Sequence, residues 1–302
     1  MRLNKNLWLI ILLIILSNCS QHNEKKIVDR SGRTVFVKSS VSRVISTAPS
    51  NTEIVADLGQ ADLLVAIDRH SANVRGVPDG LPLLDFFYPD AETIISLEPD
   101  LIIASGHNPT GSGEDPFRLL GEAGISVVYI PMSRSIEDIY RDIAFIADLL
   151  QVQDRGNELI GALREDIAAI THDVSIIGNK KTVYFEISAA PQMMTFGKNS
   201  FINDMISAAG GINIFANDNW LVSPGAESII SRNPDIILTN VNYIDDPVGE
   251  IKNRYGFDHI SAVRHHCVYR IDTDSSVRPS ARITLALRQM VQAIHQAGAA
   301  HE

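Results

Sequence analysis

The sequence predicts an α/β protein of two similar lobes, each a parallel sheet flanked by helices. The main observation is an internal repeat: residues 91–105 (AETIISLEPDLIIAS) align without a gap with residues 226–240 (AESIISRNPDIILTN). Each copy is typical of a short helix, a proline that ends it, and a buried parallel strand with no polar alternation. Similar strand-and-helix units flank both copies in the same order. Such alternation implies parallel sheets covered by helices on both faces.

Residues 1–18 are expected to form an export signal. The unbroken apolar run at residues 7–16 follows two basic residues and is shorter than the roughly 20 residues of a spanning helix. The run leads into Leu16-Ser17-Asn18-Cys19, which resembles the lipobox of bacterial lipoproteins, although Asn18 replaces the usual small residue. Cys19 would then carry the lipid, and residues 19–40 would be a tether and N-terminal extension. The alternative is an uncleaved signal anchor, and both interpretations place the body of the protein outside the cytoplasm.

The first lobe is expected at residues 41–134. It begins with a strand at residues 43–48 and a helix at 52–58, for which Asn51 is the predicted N-cap and Gly59 the stop. The first repeat copy follows. A further apolar strand at residues 127–130 completes the lobe.

The remaining chain predicts a helical connector, a second lobe and a final helix. In residues 135–178 apolar side chains recur at helical spacing, with no flexible linker. The second lobe, residues 179–279, holds the strand 182–188, a helix from Phe201 capped by Asn199-Ser200, the second repeat copy and a strand at 267–271. Residues 280–302 contain a C-terminal amphipathic helix.

Composition excludes some classes of function. The formal net charge is −10 and the sequence has no basic stripe, which argues against a nucleic-acid partner. Two cysteines cannot make a disulfide framework. The chain has neither a nucleophile-elbow motif nor a metal-hydrolase spacing, so no enzyme, cofactor or resident metal site is predicted.

The motifs together resemble the class III periplasmic binding proteins, which serve importers of cobalamin, ferric siderophores and haem. The resemblance rests on residues 43–54, on the two Glu-x-Ile-Ile…Pro-Asp copies and on residues 278–283, and it covers roughly residues 40–297. It implies two lobes bridged by one long helix, with the ligand in the cleft between them. Ligands of open α/β lobes lie beyond the carboxyl ends of the strands, which agrees with that expectation.

Glu92 and Glu227 occupy the same position of the two repeat copies. Two equivalent carboxylates on two equivalent lobes suit a two-fold symmetric partner with basic pockets. In the cobalamin-binding member of the family, glutamates at this place dock onto arginines of the two permease subunits. The alternative is that each glutamate only stabilises the start of its own helix.

The predicted ligand-binding residues follow the strands that would open into the cleft. They are Pro49, Ser50, His70, Phe86, His107, Trp220, Asp274 and Arg278. The Asp-x-x-x-Arg spacing resembles that of the cobalamin-binding member, in which both residues line the cleft. The alternative for that pair is an ion pair that holds the loop before the last helix.

The aromatic and histidine predictions rest on the shape and metal content of such ligands. Phe86 matches an aromatic that contacts the ligand in the family and Trp220 lies next to another such position, whereas Phe87 is expected in the core. Large flat ligands need large flat walls. His70 and His107 are candidates for a ligand to iron or cobalt, with an ordinary polar loop residue as the alternative.

The predicted function is that of a monomeric extracytoplasmic lipoprotein that captures a cobalamin-like corrinoid or an iron complex for an ABC permease dimer. A ferric siderophore or haem remains an alternative ligand. A binding protein for a free divalent metal is less favoured, because such a site needs three or four convergent ligands. A chelatase-like enzyme on the same scaffold is the third alternative.

Overall fold

An antiparallel hairpin precedes the N-terminal lobe. The computed structural model describes residues 24–106, 115–172, 174 and 180–299. Strands β1 (Glu24–Val28) and β2 (Thr34–Lys38) pair with each other, and the carboxylate of Asp29 in the turn accepts a hydrogen bond from the backbone N–H of Tyr129 (3.0 Å). Within the tether and N-terminal extension expected at residues 19–40, backbone pairing therefore orders residues 24–28 and 34–38.

The N-terminal lobe is built on a five-stranded parallel sheet. Its strands are β3 (Val44–Ser46), β4 (Leu64–Asp68), β5 (Leu83–Leu84), β6 (Leu101–Ser105) and β7 (Ser126–Ile130). They lie in the order β5-β4-β3-β6-β7, and every neighbouring pair is parallel. All five residues of β6 are buried, as expected for a central strand covered on both faces.

Three helices connect these strands: α1 (Pro49–Asp57), α2 (Ala91–Ser96) and α3 (Arg118–Glu122). Helix α1 begins three residues earlier than predicted, because Pro49 fixes a helical φ in its first turn. Ala48 is its N-cap residue, so the prediction that Asn51 caps this helix is wrong. The stop at Gly59 is confirmed, since its φ of +68° is the left-handed conformation that glycine adopts readily.

The connector contains two helices rather than one. Helix α4 (Ile136–Leu149) and helix α5 (Gln153–Thr171) pack against each other and are joined by a tight turn in which Gln151 has a φ of +57°. Helix α5 is the long bridge that the family resemblance implies: its 19 residues span about 28 Å. Its start bonds to the N-terminal lobe through Arg155 and the carbonyl of Leu58 (3.1 Å), and it also packs on the C-terminal helix.

The C-terminal lobe repeats the plan of the first with a four-stranded sheet. Its elements are β8 (Thr182–Glu186), β9 (Thr195–Phe196), α6 (Phe201–Ala208), β10 (Ile212–Asn213), β11 (Leu221–Val222), α7 (Ala226–Arg232), β12 (Ile236–Thr239), α8 (Pro247–Lys252), α9 (Ser261–Arg264), β13 (Val268–Arg270), α10 (Thr273–Val277) and α11 (Ile283–Ala299). The main sheet has the order β10-β8-β12-β13 and is parallel throughout, while β9 and β11 form a separate antiparallel pair. The predicted cap at Ser200 is confirmed, because its Oγ accepts the backbone N–H of Asn203 (3.2 Å).

The two copies of the repeat fold alike. Helices α2 and α7 precede β6 and β12, and in each copy the aspartate after the proline fastens the start of the first strand of its lobe. Asp100 accepts bonds from the backbone N–H and the hydroxyl of Ser42 (2.8 and 2.7 Å). Asp235 accepts the same two bonds from Thr182 (both 2.8 Å). The two copies therefore share this aspartate contact, which holds the start of a strand in place, as well as the same order of helix and strand.

One buried apolar cluster runs through both lobes. It includes Ile54 and Leu101 from the first lobe, Ile143 from α4, and Phe185 and Leu287 from the second lobe and final helix. A smaller cluster fills the other face of the first sheet. In the part of the chain that the structure describes, no helix is long and apolar enough to cross a membrane.

Candidate ligand-binding cleft

A cleft of about 540 Å³ lies between the lobes, where strands of both sheets end. Ser105 and Ile130, at the ends of β6 and β7, line it from the first lobe, and Ile187 lines it directly after β8. This placement at the carboxyl ends of parallel strands is the one predicted for ligands of open α/β sheets. Apolar side chains dominate the floor. They are Ile54, Leu84, Met132, Phe201, Ile202 and Val277.

The start of α1 forms one wall of the cleft. Pro49 and Ser50 lie there, half-buried, where the sequence placed them. Asn51 is beside them with 3% of its surface exposed, and its Nδ2 has no hydrogen-bond partner among the described residues. This donor was missed at the sequence level, because Asn before a helical pattern is normally interpreted as a cap.

His70 lies at the rim, directly after β4. Its backbone N–H donates to the Asp68 carboxylate (2.8 Å), while its side chain is exposed. Burial raises the pKa of Asp68, and a hydrogen bond from Ser71 opposes that rise. His70 therefore borders the cleft but belongs to no group of ligating side chains. Within the described ranges no three His, Cys, Asp or Glu side chains are placed to hold a metal ion.

In the aromatic loop after β5, the prediction for Phe87 is wrong. Phe87 was expected in the core, but 67% of its surface is exposed and it lines the cleft. Phe86 borders the cleft as predicted, yet it is 6% exposed and packs on Phe117 at 6.2 Å between ring centroids. Both residues lie in a bend that follows β5. Because the ring of Phe86 is buried against Phe117, the exposed ring of Phe87 is the one that can face a ligand.

Trp220 lines the opposite wall, in agreement with the sequence. Its ring contacts Phe196 edge to face at 5.3 Å between centroids, and Phe196 also lines the cleft. Trp220 has a φ of +51°, which is uncommon for a residue other than glycine. Hydrogen bonds on both sides hold this backbone: Gly197 donates to the carbonyl of Trp220 (2.7 Å), and Trp220 donates to that of Lys198 (3.0 Å).

Asp274 and Arg278 line the cleft and also join the two lobes. The guanidinium of Arg278 pairs with Asp274 (3.0 Å) and, across the lobes, with Glu53 of α1 (3.0 Å). It donates further bonds to the carbonyl of His70 (3.1 Å) and to Oδ1 of Asn73 (3.2 Å). Asn73 in turn donates to Asp274 (3.0 Å).

Glu53 is the centre of this network and is 2% exposed. Besides Arg278, it accepts bonds from Ser280 (2.6 Å) and from Arg282 (3.3 Å). A buried carboxylate needs such partners, because an isolated ionised group is expensive to remove from water. Arg282 therefore has a structural role in this network. Arg278 has the structural role that the sequence left as an alternative, in addition to a place on the cleft wall.

Glu92 and Glu227 lie in the first turns of α2 and α7, as the repeat predicts. Both side chains are exposed, and neither forms an ion pair with any residue that the structure describes. Their carboxylates are therefore available to a partner. Two other predicted residues, His107 and Cys19, lie outside the described residues.

Comparisons with known proteins agree with this architecture. Residues 44–275 match a family model described as "Periplasmic binding protein". An "Uncharacterized ABC transporter substrate-binding lipoprotein" of Bacillus subtilis is 26% identical, over 98% of both chains. A "Vitamin B12-binding protein" of Vibrio parahaemolyticus is also 26% identical, over 83% of this chain and 89% of its own length.

A solved structure from Staphylococcus epidermidis, described as a possible iron-binding periplasmic solute-binding protein, has 31% sequence identity. It superposes with a TM-score of 0.76 over 85% of this chain and 100% of its own. The similarity therefore extends across both lobes and includes the region that encloses the cleft.

Proposed function

The chain belongs to the periplasmic binding protein family and is a substrate-binding protein of an ABC transporter, and on that premise we propose that its cleft captures a cobalamin-like corrinoid. The observation that carries the proposal is the cleft itself, which is about 540 Å³, mainly apolar and flanked by Phe87, Phe196 and Trp220. Aromatic walls of this kind suit a large, flat ligand. The vitamin B12-binding relative supports the corrinoid over other ligands.

A second candidate ligand is an iron complex, either haem or a ferric siderophore. Two observations favour it. His70 at the rim carries an imidazole suited to iron. The relative from Staphylococcus epidermidis is described as a possible iron-binding protein.

Titration with a panel of chelates tests the proposal. The purified protein would be mixed with cyanocobalamin, haemin and a ferric trihydroxamate, and its thermal midpoint would be followed. A ligand at about 100 times its Kd stabilises the native state by about 2.7 kcal/mol, which shifts the midpoint by several degrees. Absence of any shift, together with an unchanged absorbance spectrum for every chelate, would exclude a bulky chelate as the substrate.

We also propose that Glu92 and Glu227 dock onto basic pockets of the permease. The support is their equivalent position in the repeat, their exposure and their lack of an internal ion-pair partner among the described residues. Reversal of both charges, in Glu92→Arg with Glu227→Arg, is expected to abolish uptake by cells while Kd for the chelate stays unchanged. Like charges across an interface repel strongly, which is the reason for the expected loss.

The matched control for docking reverses two exposed glutamates on α5. Glu158→Arg with Glu165→Arg changes the net charge by the same amount away from both lobes' repeat helices. This control should transport normally. Equal loss of uptake in both double variants would mean that net charge, rather than docking, explains the effect.

The place of action is proposed to be outside the cytoplasm, with a lipid on Cys19. Support comes from the lipobox-like segment and from the relative in Bacillus subtilis, which is described as a lipoprotein. Cys19→Ser should move the protein from the membrane fraction to the soluble extracytoplasmic fraction. A variant that stays in the membrane would favour the uncleaved anchor.

A further inference from the structure

The charged side chains of the cleft carry information about the charge of the ligand. Four carboxylates line it: Asp68, Asp85, Asp142 and Asp274. Apart from His70, two cationic side chains line it, those of Arg69 and Arg278. The described wall is therefore richer in acids than in bases.

Both arginines already have anionic partners within the protein. Arg278 pairs with Glu53 and with Asp274, each at 3.0 Å, and only 10% of its side chain is exposed. Arg69 pairs with Asp85 at the rim of the cleft. A ligand carboxylate or phenolate would have to compete with Glu53 and Asp274 for the buried guanidinium of Arg278. At Arg69, which is more exposed, it would meet a positive charge that Asp85 already offsets.

The acids themselves are not all neutralised by bases. Asp142 is paired, since it accepts a bond from Nε of Arg30 (2.6 Å) behind the wall. Asp68 is bonded to Ser71 and to the backbone of His70 and forms no direct ion pair with an arginine or lysine among the described residues, although the charge of Arg278 acts on it at longer range.

What the wall does offer is an uncharged donor. The Nδ2 of Asn51 is buried and has no partner among the described residues. A buried donor of this kind can be satisfied by a neutral acceptor such as an amide or hydroxamate carbonyl, and no charge then has to be removed from water. The faces of the aromatic side chains carry the negative part of the ring quadrupole, so they offer no attraction to a negative charge on the ligand.

We propose that the cleft selects bulky chelates without net negative charge and discriminates against anionic ones. This inference rests on the proposed function and narrows it. Corrinoids with intact amide side chains and neutral ferric trihydroxamates fit, whereas haem with two ionised propionates and ferric tricatecholates do not. The cleft discriminates against anions because each arginine that lines it already forms an ion pair with an acid of the protein.

The experiment compares ligands that differ mainly in charge, by isothermal titration at low salt. Cyanocobalamin is paired with its monocarboxylate derivative, and a neutral ferric trihydroxamate is paired with a ferric tricatecholate. In at least one pair the neutral member should bind, and the anionic member should bind at least about tenfold more weakly. The ratio of the two Kd values, that of the anionic ligand over that of the neutral ligand, should be smaller in 1 M NaCl, because salt screens charges near the surface.

A variant releases one arginine from its internal acid. Asp85→Asn keeps an oxygen that accepts the backbone N–H of Phe87 but removes the charge that pairs with Arg69. It should improve the binding of the anionic member relative to the neutral one by roughly two- to fivefold. Glu122→Gln is the matched control, since it also removes the acid of an exposed arginine pair, on α3 and away from the cleft.

The outcomes separate the two proposals. If an anionic chelate binds as tightly as its neutral partner or more tightly, the charge selection is wrong while the proposed function stands. If no member of either pair binds, the proposed function itself fails. If Glu122→Gln changed the ratio of the anionic to the neutral Kd as much as Asp85→Asn does, the proposed charge selection by the cleft would also be wrong. The net charge of the protein alone would then explain the effect.

Discussion

At the scale of single residues, Phe86 and Phe87 show how one position decides between core and surface. Phe86 packs in the cluster on the outer face of the first sheet, and Phe87 projects into the cleft. Both are phenylalanine, so composition and hydrophobicity cannot separate them. Their packing does, because Phe86 is buried against Phe117 whereas Phe87 stays exposed in the same bend.

Substitution of each ring by alanine is expected to have opposite consequences. Phe86→Ala should lower the free energy of unfolding by about 3 kcal/mol, because it leaves a cavity next to Phe117. Phe87→Ala should leave stability nearly unchanged and weaken chelate binding severalfold through the loss of a flat wall. Urea unfolding and titration of the same two variants check the pair. Reversed effects would restore the assignment made from the sequence.

At the scale of elements, the aspartates of the repeat show how neighbouring strands are held together. Asp100 bonds to Ser42 and to the ammonium of Lys38 (2.6 Å), which fastens the hairpin and the first strand to β6. Burial acts to raise the pKa of Asp100, but the hydrogen bonds from Lys38 and Ser42 outweigh it and lower the pKa to about 2. The ionised form is thus the one that the folded state favours.

This depressed pKa predicts a pH-dependent stability. Because the pKa falls from 3.8 in the unfolded chain to about 2 in the folded protein, the contribution is fully present above pH 4 and is lost as the pH falls towards 2. Asp100→Asn should therefore cost about 2 kcal/mol at pH 7, and the difference from the native protein should shrink below pH 4. Urea unfolding at pH 7, 4 and 3 measures it.

Asp258→Asn serves as the control for this pH dependence. The Asp258 side chain is 72% exposed, and its substitution should have little effect at any of these pH values. A difference for Asp100→Asn that stays constant from pH 7 to pH 3 would contradict the role of ionisation. It would point to a loss of packing or of neutral hydrogen bonds instead.

At the scale of the whole molecule, three contacts hold the lobes together. Helices α4 and α5 run between them, one apolar cluster includes both, and the carboxylate of Glu53 binds Arg278, Ser280 and Arg282 from the other lobe. Glu53 and Arg278 are 225 residues apart in the chain. A buried ion pair at such a separation specifies how the lobes face each other, and we expect only small rearrangements between open and closed clefts.

The ion pair can be tested by its effect on stability. Arg278→Ala leaves the buried carboxylate of Glu53 with weaker partners and should lower the free energy of unfolding by about 3 kcal/mol. Arg118→Ala removes an arginine from an exposed pair and should cost about 0.5 kcal/mol or less. The double variant Glu53→Gln with Arg278→Ala should recover part of the loss, because no buried charge is left unpaired. Additive losses would show that the two residues act independently.

Local sequence patterns were sufficient to predict the two-lobed α/β architecture. The repeat, the proline stops and the apolar strands at residues 101–105 and 236–239 depend on local pattern, and local pattern persists in the fold because it decides which faces must be buried. The same reasoning predicted that Glu92 and Glu227 lie in the first turns of the two repeat helices, where the structure has them. Trp220 and Asp274 line the cleft, and their contact with a ligand stays a prediction.

Which side chains contact each other became visible only in the folded molecule. Nothing local in the sequence indicates that Glu53 meets Arg278 across the lobes, that Asn51 faces the cleft instead of capping a helix, or that Phe87 rather than Phe86 is exposed. These facts depend on the packing of one lobe against the other and on the register of a single loop. Electrostatic pairing acts through space, so it appears only when segments distant in the chain are brought together.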